Sequence, residues 1–142
     1  MADKKYRIIQ IIDTLEAGGA EKVLVTLSNI FFSKGHDVTV ITTLQKGALA
    51  NQLLSGIIVK SLERRSKWNL ADMSRLVKWC RDADIIHVHS THNLRYVYVA
   101  SKFFFLNKRI FFHHHFGNIE IDTSVHWNQR LVYPSKIGRA HV

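Results

Sequence analysis

Ile8-Ile9-Gln10-Ile11-Ile12-Asp13-Thr14-Leu15-Glu16-Ala17-Gly18-Gly19-Ala20-Glu21 is the stretch whose reading decides the fold. An apolar run ends in a polar turn with paired glycines. An amphipathic pattern follows at once, with Ala20, Val23, Leu24, Leu27, Ile30 and Phe31 at helical spacing. That order is strand, tight loop, helix. The free N–H groups of a first helical turn and the helix dipole favour an anion in such a loop. Gly18 and Gly19 carry no Cβ, so a phosphate or a substrate backbone can approach closely. The spacing is neither G-x-G-x-x-G nor G-x-x-x-x-G-K-[ST], which excludes the dinucleotide fingerprint and the P-loop. Two readings stay open here: a phosphate cradle, or a tight turn and nothing more.

The pattern repeats outward. Gly35 closes the first helix as a C′ glycine, and Asp37-Val38-Thr39-Val40-Ile41-Thr42 reads as the next strand. Strands are predicted at 6–12, 37–42, 56–61, 84–89 and 109–114, and helices at 19–34, 70–82 and 93–105, with a short one at 47–54. Asn69 is placed to cap the helix whose Leu70, Met73, Leu76, Val77 and Cys80 share a face. Phe103-Phe104-Phe105-Leu106 reads as a helix end packed on a sheet. Strands alternating with helices imply right-handed βαβ units and a parallel sheet with helices on both faces, an α/β fold. In such sheets ligands collect at the carboxyl ends of the strands. That rule selects Asp13 to Gly19, Ser90 to Asn93 and His113 to Asn118.

Composition narrows the class. The 142 residues are 46% apolar and 22% charged, which is globular rather than disordered. Cys80 is the sole cysteine, so no disulfide framework exists; it lies on a helix's apolar face and reads as structural. No apolar run approaches a membrane span, and the cytoplasm is the expected compartment. The formal net charge of +9 gathers partly in Arg64-Arg65-Ser66-Lys67-Trp68. Arg64, Arg65, Lys67 and Trp68 are expected to form an exposed loop suited to an anionic membrane surface or an acidic acceptor, or else merely solvated.

Three blocks now carry a resemblance. Ile8 through Leu44, with Gly18-Gly19-Ala20-Glu21 and Lys34-Gly35-His36-Asp37-Val38, is similar to the start of a family 4 glycosyltransferase. Ala83-Asp84-Ile85-Ile86-His87-Val88-His89-Ser90 is similar to that family's fourth strand. Arg109-Ile110-Phe111-Phe112-His113-His114-His115-Phe116-Gly117 is similar to its fifth strand and the histidine-bearing loop after it. The resemblance runs to about Pro134. It implies the GT-B fold, two Rossmann-like domains facing each other across a cleft, of which this chain is the N-terminal, acceptor-side half. The missing half would carry most of the donor contacts.

The implied reaction moves a hexose-type sugar, with retention, from a nucleotide-diphosphate sugar to a glycan or lipid-linked acceptor, as in polysaccharide biosynthesis. The implied donor-phosphate contacts are Gly18 and Gly19, and the implied acceptor contacts are Asp13, Glu16, His89 and Asn93. Asp13 and Glu16 read equally well as turn formers. A histidine at the end of the fifth strand would face the cleft, where it could bind sugar hydroxyls or stabilise phosphate charge. The family pattern has a lone histidine where this chain has three. His115 is favoured, then His114, with His113 turned into the sheet's flank. No covalent nucleophile is assigned.

No cofactor is expected beyond the nucleotide sugar as co-substrate, and no metal. His87 and His89 share a strand face, but no cysteine pair and no H-E-x-x-H accompanies them. His87 reads as a hydrogen-bonded core residue. Nucleic acid is not an expected partner. A polyanion- or nucleic-acid-binding module and a sugar-nucleotide epimerase of the same fold are the alternatives. Ile137-Gly138-Arg139-Ala140-His141-Val142 matches one reading frame of a common sequencing adapter. The native domain is therefore expected to span 1–135 and to continue beyond, with 136–142 a read-through.

Overall fold

The computed structural model describes residues 3–114 and 138–140. Strand β1 (Arg7–Thr14) leads through the glycine loop to helix α1 (Gly19–Ser33) and strand β2 (Asp37–Gln45). A short 3-10 helix (Ala48–Gln52) precedes β3 (Ile58–Ser61). Then come α2 (Leu70–Cys80), β4 (Ile85–His89), α3 (Thr91–Phe103), β5 (Arg109–His113) and β6 (Gly138–Ala140). The six strands lie in the order β3-β2-β1-β4-β5-β6, and every pairing is parallel. This is the Rossmann-like α/β sheet expected of half a GT-B fold. β6 is drawn from the 136–142 stretch that the sequence sets apart.

The alternation of side chains along β1 builds two cores at once. Ile9 and Ile11 join Ile86 and Val88 of β4 and Phe112 of β5 beneath α2 and α3. Ile12 faces the other way, with Val38 and Val40 of β2, against Leu24 and Val25 of α1 and Leu49 of the 3-10 helix. Burial of these branched side chains on both faces is the main stabilising contribution, at about 25 cal/mol per Å² of apolar surface. At its amino end β1 is clasped to β4: Asp84 donates its N–H to the Arg7 carbonyl and accepts the Arg7 N–H through its carboxylate, both at 2.8 Å.

The helix ends follow the chemistry read from the sequence. Gly35 sits at φ +90 as the C′ residue of α1. The His36 N–H reaches the Phe31 carbonyl and the Gly35 N–H reaches that of Phe32, which is a Schellman closure. Asn69 caps α2, its side chain accepting from the Asp72 N–H at 3.0 Å. Cys80 is buried, and burial pushes its thiol up to about 12, only partly offset by Lys60, so it stays protonated.

Two local expectations change. The short helix near 47–54 is a five-residue 3-10 turn. Its chain is held by tertiary hydrogen bonds to the glycine loop rather than by helical propensity. The phenylalanine run does not pack as a block: Phe104 and Leu106 meet the core, while Phe103 is exposed and Phe105 is 90% exposed. Phe103 is still within α3 on its exposed side, and the chain leaves the helix through a left-handed turn at Phe105, φ +56. Among the described residues no helix is long and apolar enough to cross a membrane.

These roles separate by size. Leu76→Ala empties a fully buried core position and is expected to cost about 3 kcal/mol. Asn69→Ala removes one cap and is expected to cost about 1 kcal/mol. Urea unfolding of the two variants checks the ranking; equal losses would show that α2 is not held chiefly by its apolar face.

Candidate functional site

The carboxyl ends of β1, β2 and β4 converge on one polar edge, and β1 and β2 run further into it than their apolar runs suggest. β1 continues to Thr14 and β2 to Gln45, with a register shift between Ile12 and Thr14. This extension carries Asp13 and Thr43 into the sheet's rim. The glycine loop follows. Gly18 is the N-cap of α1 in extended conformation, and Gly19 is its first residue. A Cβ built on Gly19 meets nothing within 4 Å; one on Gly18 meets only the carboxylate end of Glu21, which is free to rotate. Open space therefore lies above Gly19, whereas the Glu21 side chain covers Gly18 and must turn away before an anion can approach that residue. Glu16 is exposed at the start of this loop.

A glycine not singled out by sequence reasoning sets the loop's position. Gly47 has φ +75, and a Cβ there would stand 2.3 Å from the Leu15 carbonyl carbon. The Leu15 N–H donates to the Lys46 carbonyl at 3.2 Å, and the Leu49 N–H to the Leu15 carbonyl at 2.8 Å. The β2 loop thus lies directly on the backbone of the glycine loop. Only a residue without a side chain permits that approach.

Asp13 is half-buried and held by Thr43 of β2 and by Arg64 of the loop after β3. The Thr43 hydroxyl lies 2.8 Å from Asp13 Oδ1 and 3.1 Å from Asn93 Oδ1, so its single proton serves one oxygen at a time. Asn93 is fully buried and donates from Nδ2 to the His89 carbonyl at 3.2 Å. Arg64 Nη2 lies 3.8 Å from Asp13 Oδ1, and the guanidinium covers the Tyr96 ring at 4.9 Å. Burial is the main cause that pushes the Tyr96 phenol up to about 12, with Asp72 adding to it and Arg64 and Arg75 opposing. Arg64 Nε and the Tyr96 hydroxyl are buried without a hydrogen-bond partner among the described residues. At the rim β4 passes into α3 through Ser90, whose φ of 90 is costly for a residue with a Cβ. Its hydroxyl caps α3 by accepting from the Asn93 N–H at 3.3 Å.

The basic loop is therefore split. Arg65, Lys67 and Trp68 are exposed as expected, Trp68 by 59%. Arg64 is not: its side chain is only 15% exposed and turned toward Asp13. The cause is backbone pinning on both sides. The Arg64 N–H bonds the Thr43 carbonyl at 3.0 Å, and the Arg65 N–H bonds the Asp72 carboxylate at 2.9 Å.

Two more expectations shift. His89, read as an acceptor contact, is fully buried on the sheet face toward α1, where its Nε2 lies 2.8 Å from Gln10 Oε1. Asn93 is likewise enclosed, and its Nδ2 links α3 to the His89 carbonyl. His113 is buried as expected; burial lowers its pKa from the ordinary value of 6.5, which leaves the ring neutral near pH 7. His114 is exposed beyond the end of β5, its ring edge-on to Phe112 at 5.8 Å. His115 lies outside the described residues.

Residues 17–139 match the model of the family described as Glycosyltransferase Family 4. No curated protein matches the chain significantly. Among solved structures, Anabaena Alr3699/HepE in complex with UDP and glucose is similar, with a TM-score of 0.59 and 18% identity over 76% of this chain and 29% of that one. An alpha-glucosyltransferase in complex with UDP and a 13-mer DNA containing an HMU base is similar at a TM-score of 0.60 and 14% identity, over 96% of this chain and 38% of that one. At these identities the likeness is one of fold. The chain spans well under half the length of either protein.

The glycines should divide under substitution. Gly47→Ala is expected to cost more than about 1 kcal/mol, because it adds strain at positive φ and a clash with Leu15. Gly19→Val meets open space and is expected to leave Tm within a few degrees of the parent. Thermal unfolding of both variants checks this; a collapse of Gly19→Val would make that glycine structural.

Proposed function

This chain belongs to glycosyltransferase family 4, and on that premise we propose that it is the acceptor-side domain of a retaining hexosyltransferase. The donor is a nucleotide-diphosphate sugar, and the acceptor is a glycan or a lipid-linked sugar. A second α/β domain beyond residue 135 supplies most donor contacts. One observation carries the reading: at the strand ends, Gly19 opens the helix N-terminus to free space beside a polar cluster built on Asp13, Thr43 and Arg64. The loop's N–H groups and the α1 dipole suit the donor phosphates. Asp13, held by Thr43 and Arg64, suits an acceptor hydroxyl. His114, with His115 next along the chain, leads from β5 toward the same cleft, where a histidine can bind sugar hydroxyls or stabilise leaving phosphate charge.

A site shared between two domains places donor and acceptor in reacting geometry only when both are present. The 142-residue chain alone is therefore expected to show no sugar transfer, and the same domain joined to its second half to transfer from a nucleotide sugar. In that two-domain enzyme Gly19→Val is expected to lower kcat/KM by about 100-fold, the scale of losing one aligned donor to developing charge. Turnover by the chain alone, or full activity in the variant, overturns the assignment.

The exposed part of the basic loop fits a peripheral membrane contact. Arg65 and Lys67 offer at most about 2 kcal/mol toward an anionic surface, screened by salt, with Trp68 at the headgroup level. Arg65→Ser with Lys67→Ser is expected to abolish most sedimentation with anionic liposomes at low salt and to leave Tm unchanged. Binding to neutral liposomes as strong as to anionic ones would remove the loop from this role.

A further inference from the structure

On the sheet face toward α1, three histidines from two strands meet. His87 and His89 are two apart on β4, so their side chains share that face. His113 of β5 is the register partner of His89. All three are buried, and their rings lie 4.3 Å apart for His87 and His89, 5.5 Å for His87 and His113, and 5.4 Å for His89 and His113. One ring nitrogen from each falls within 4.8 Å of the others.

We propose that His87, His89 and His113 form a three-histidine site for a divalent transition metal of borderline softness, zinc foremost. Tetrahedral zinc needs imidazole nitrogens at about 2.0–2.1 Å from the ion, so small side-chain rotations close the set without moving the strands. Imidazole is a donor suited to zinc, copper and nickel and poorly suited to magnesium or calcium. The surroundings are those of a ligated histidine. His89 Nε2 lies 2.8 Å from Gln10 Oε1, a contact that orients the ring; in the tautomer that carries its proton on Nε2 the lone pair stands on Nδ1. Gln10 is itself fully buried, and its amide Nε2 has no hydrogen-bond partner among the described residues. A groove of about 350 Å³, walled by Ile8, Phe31, Ile85 and Phe111, reaches His87 along the same face and offers a way in. An ion there ties β4 to β5 directly beneath the strand end that carries His114. The site differs from the transfer site in place and chemistry, so it stands or falls independently.

The test uses the full 142-residue chain, cleared of metal with a chelator and titrated with zinc. One tightly held ion per chain is expected, with Tm raised by about 10 °C at a thousandfold excess over Kd. X-ray absorption at the zinc edge is expected to show three imidazole nitrogens at about 2.0–2.1 Å. His87→Gln and His113→Gln are expected to lose the ion, and His114→Ala, the exposed neighbour, to keep it. Replacement of a buried histidine can unfold the sheet, so the absorption measurement on the unsubstituted chain decides by itself. Fewer than three imidazoles around the zinc overturns the proposal. So does equal zinc binding by a His87→Gln chain that keeps native circular dichroism.

Discussion

The parallel pairing of β1 with β2 on one side and β4 on the other is the constraint on which the structure depends. β1 supplies Ile9 and Ile11 to one apolar cluster and Ile12 to the other, and it stands at the topological switch of the sheet. The chain runs from β1 outward to β2 and β3, then returns to β4 on the opposite flank. With right-handed crossovers, this reversal places α1 on one face and α2 and α3 on the other. It also opens the crevice at the carboxyl ends of β1 and β4. Asp13, the glycine loop and the start of α3 reach that crevice because β1 delivers them there.

The crevice is cross-linked by electrostatic as well as steric contacts. Asp13 is half-buried, and a carboxylate in that position is tolerated because Thr43 and Arg64 address it. Arg64 in turn lies on Tyr96, and its backbone is fixed to Thr43. Asn93 links the cluster to the end of β4 through the His89 carbonyl. Each polar group is oriented by another element, so the rim behaves as one network rather than as separate loops. Gly47 completes it by letting two loops touch at backbone distance.

Much of this was legible in the residues. Five strands and three helices fall where periodicity, Asn69 and Gly35 place them, because apolar spacing and cap chemistry are local properties. The apolar pattern stops short of the ends of β1 and β2, because Asp13, Thr14 and Thr43 to Gln45 do not continue it. Backbone pairing continues past them regardless, since ladder hydrogen bonds do not depend on side-chain polarity. Phe105 departs for a related reason: a left-handed turn overrides what four apolar letters suggest.

The sequence by itself determined the alternation of strand and helix, the parallel sheet, the open glycine loop and the shared face of His87 and His89. Those properties follow from spacing along a single element. Only the tertiary structure decided that Arg64 turns inward, that Thr43 and Tyr96 join Asp13, and that His113 completes a trio with two residues more than twenty positions earlier. Such neighbours are set by strand order and register, and these emerge only when the whole sheet buries its two faces together.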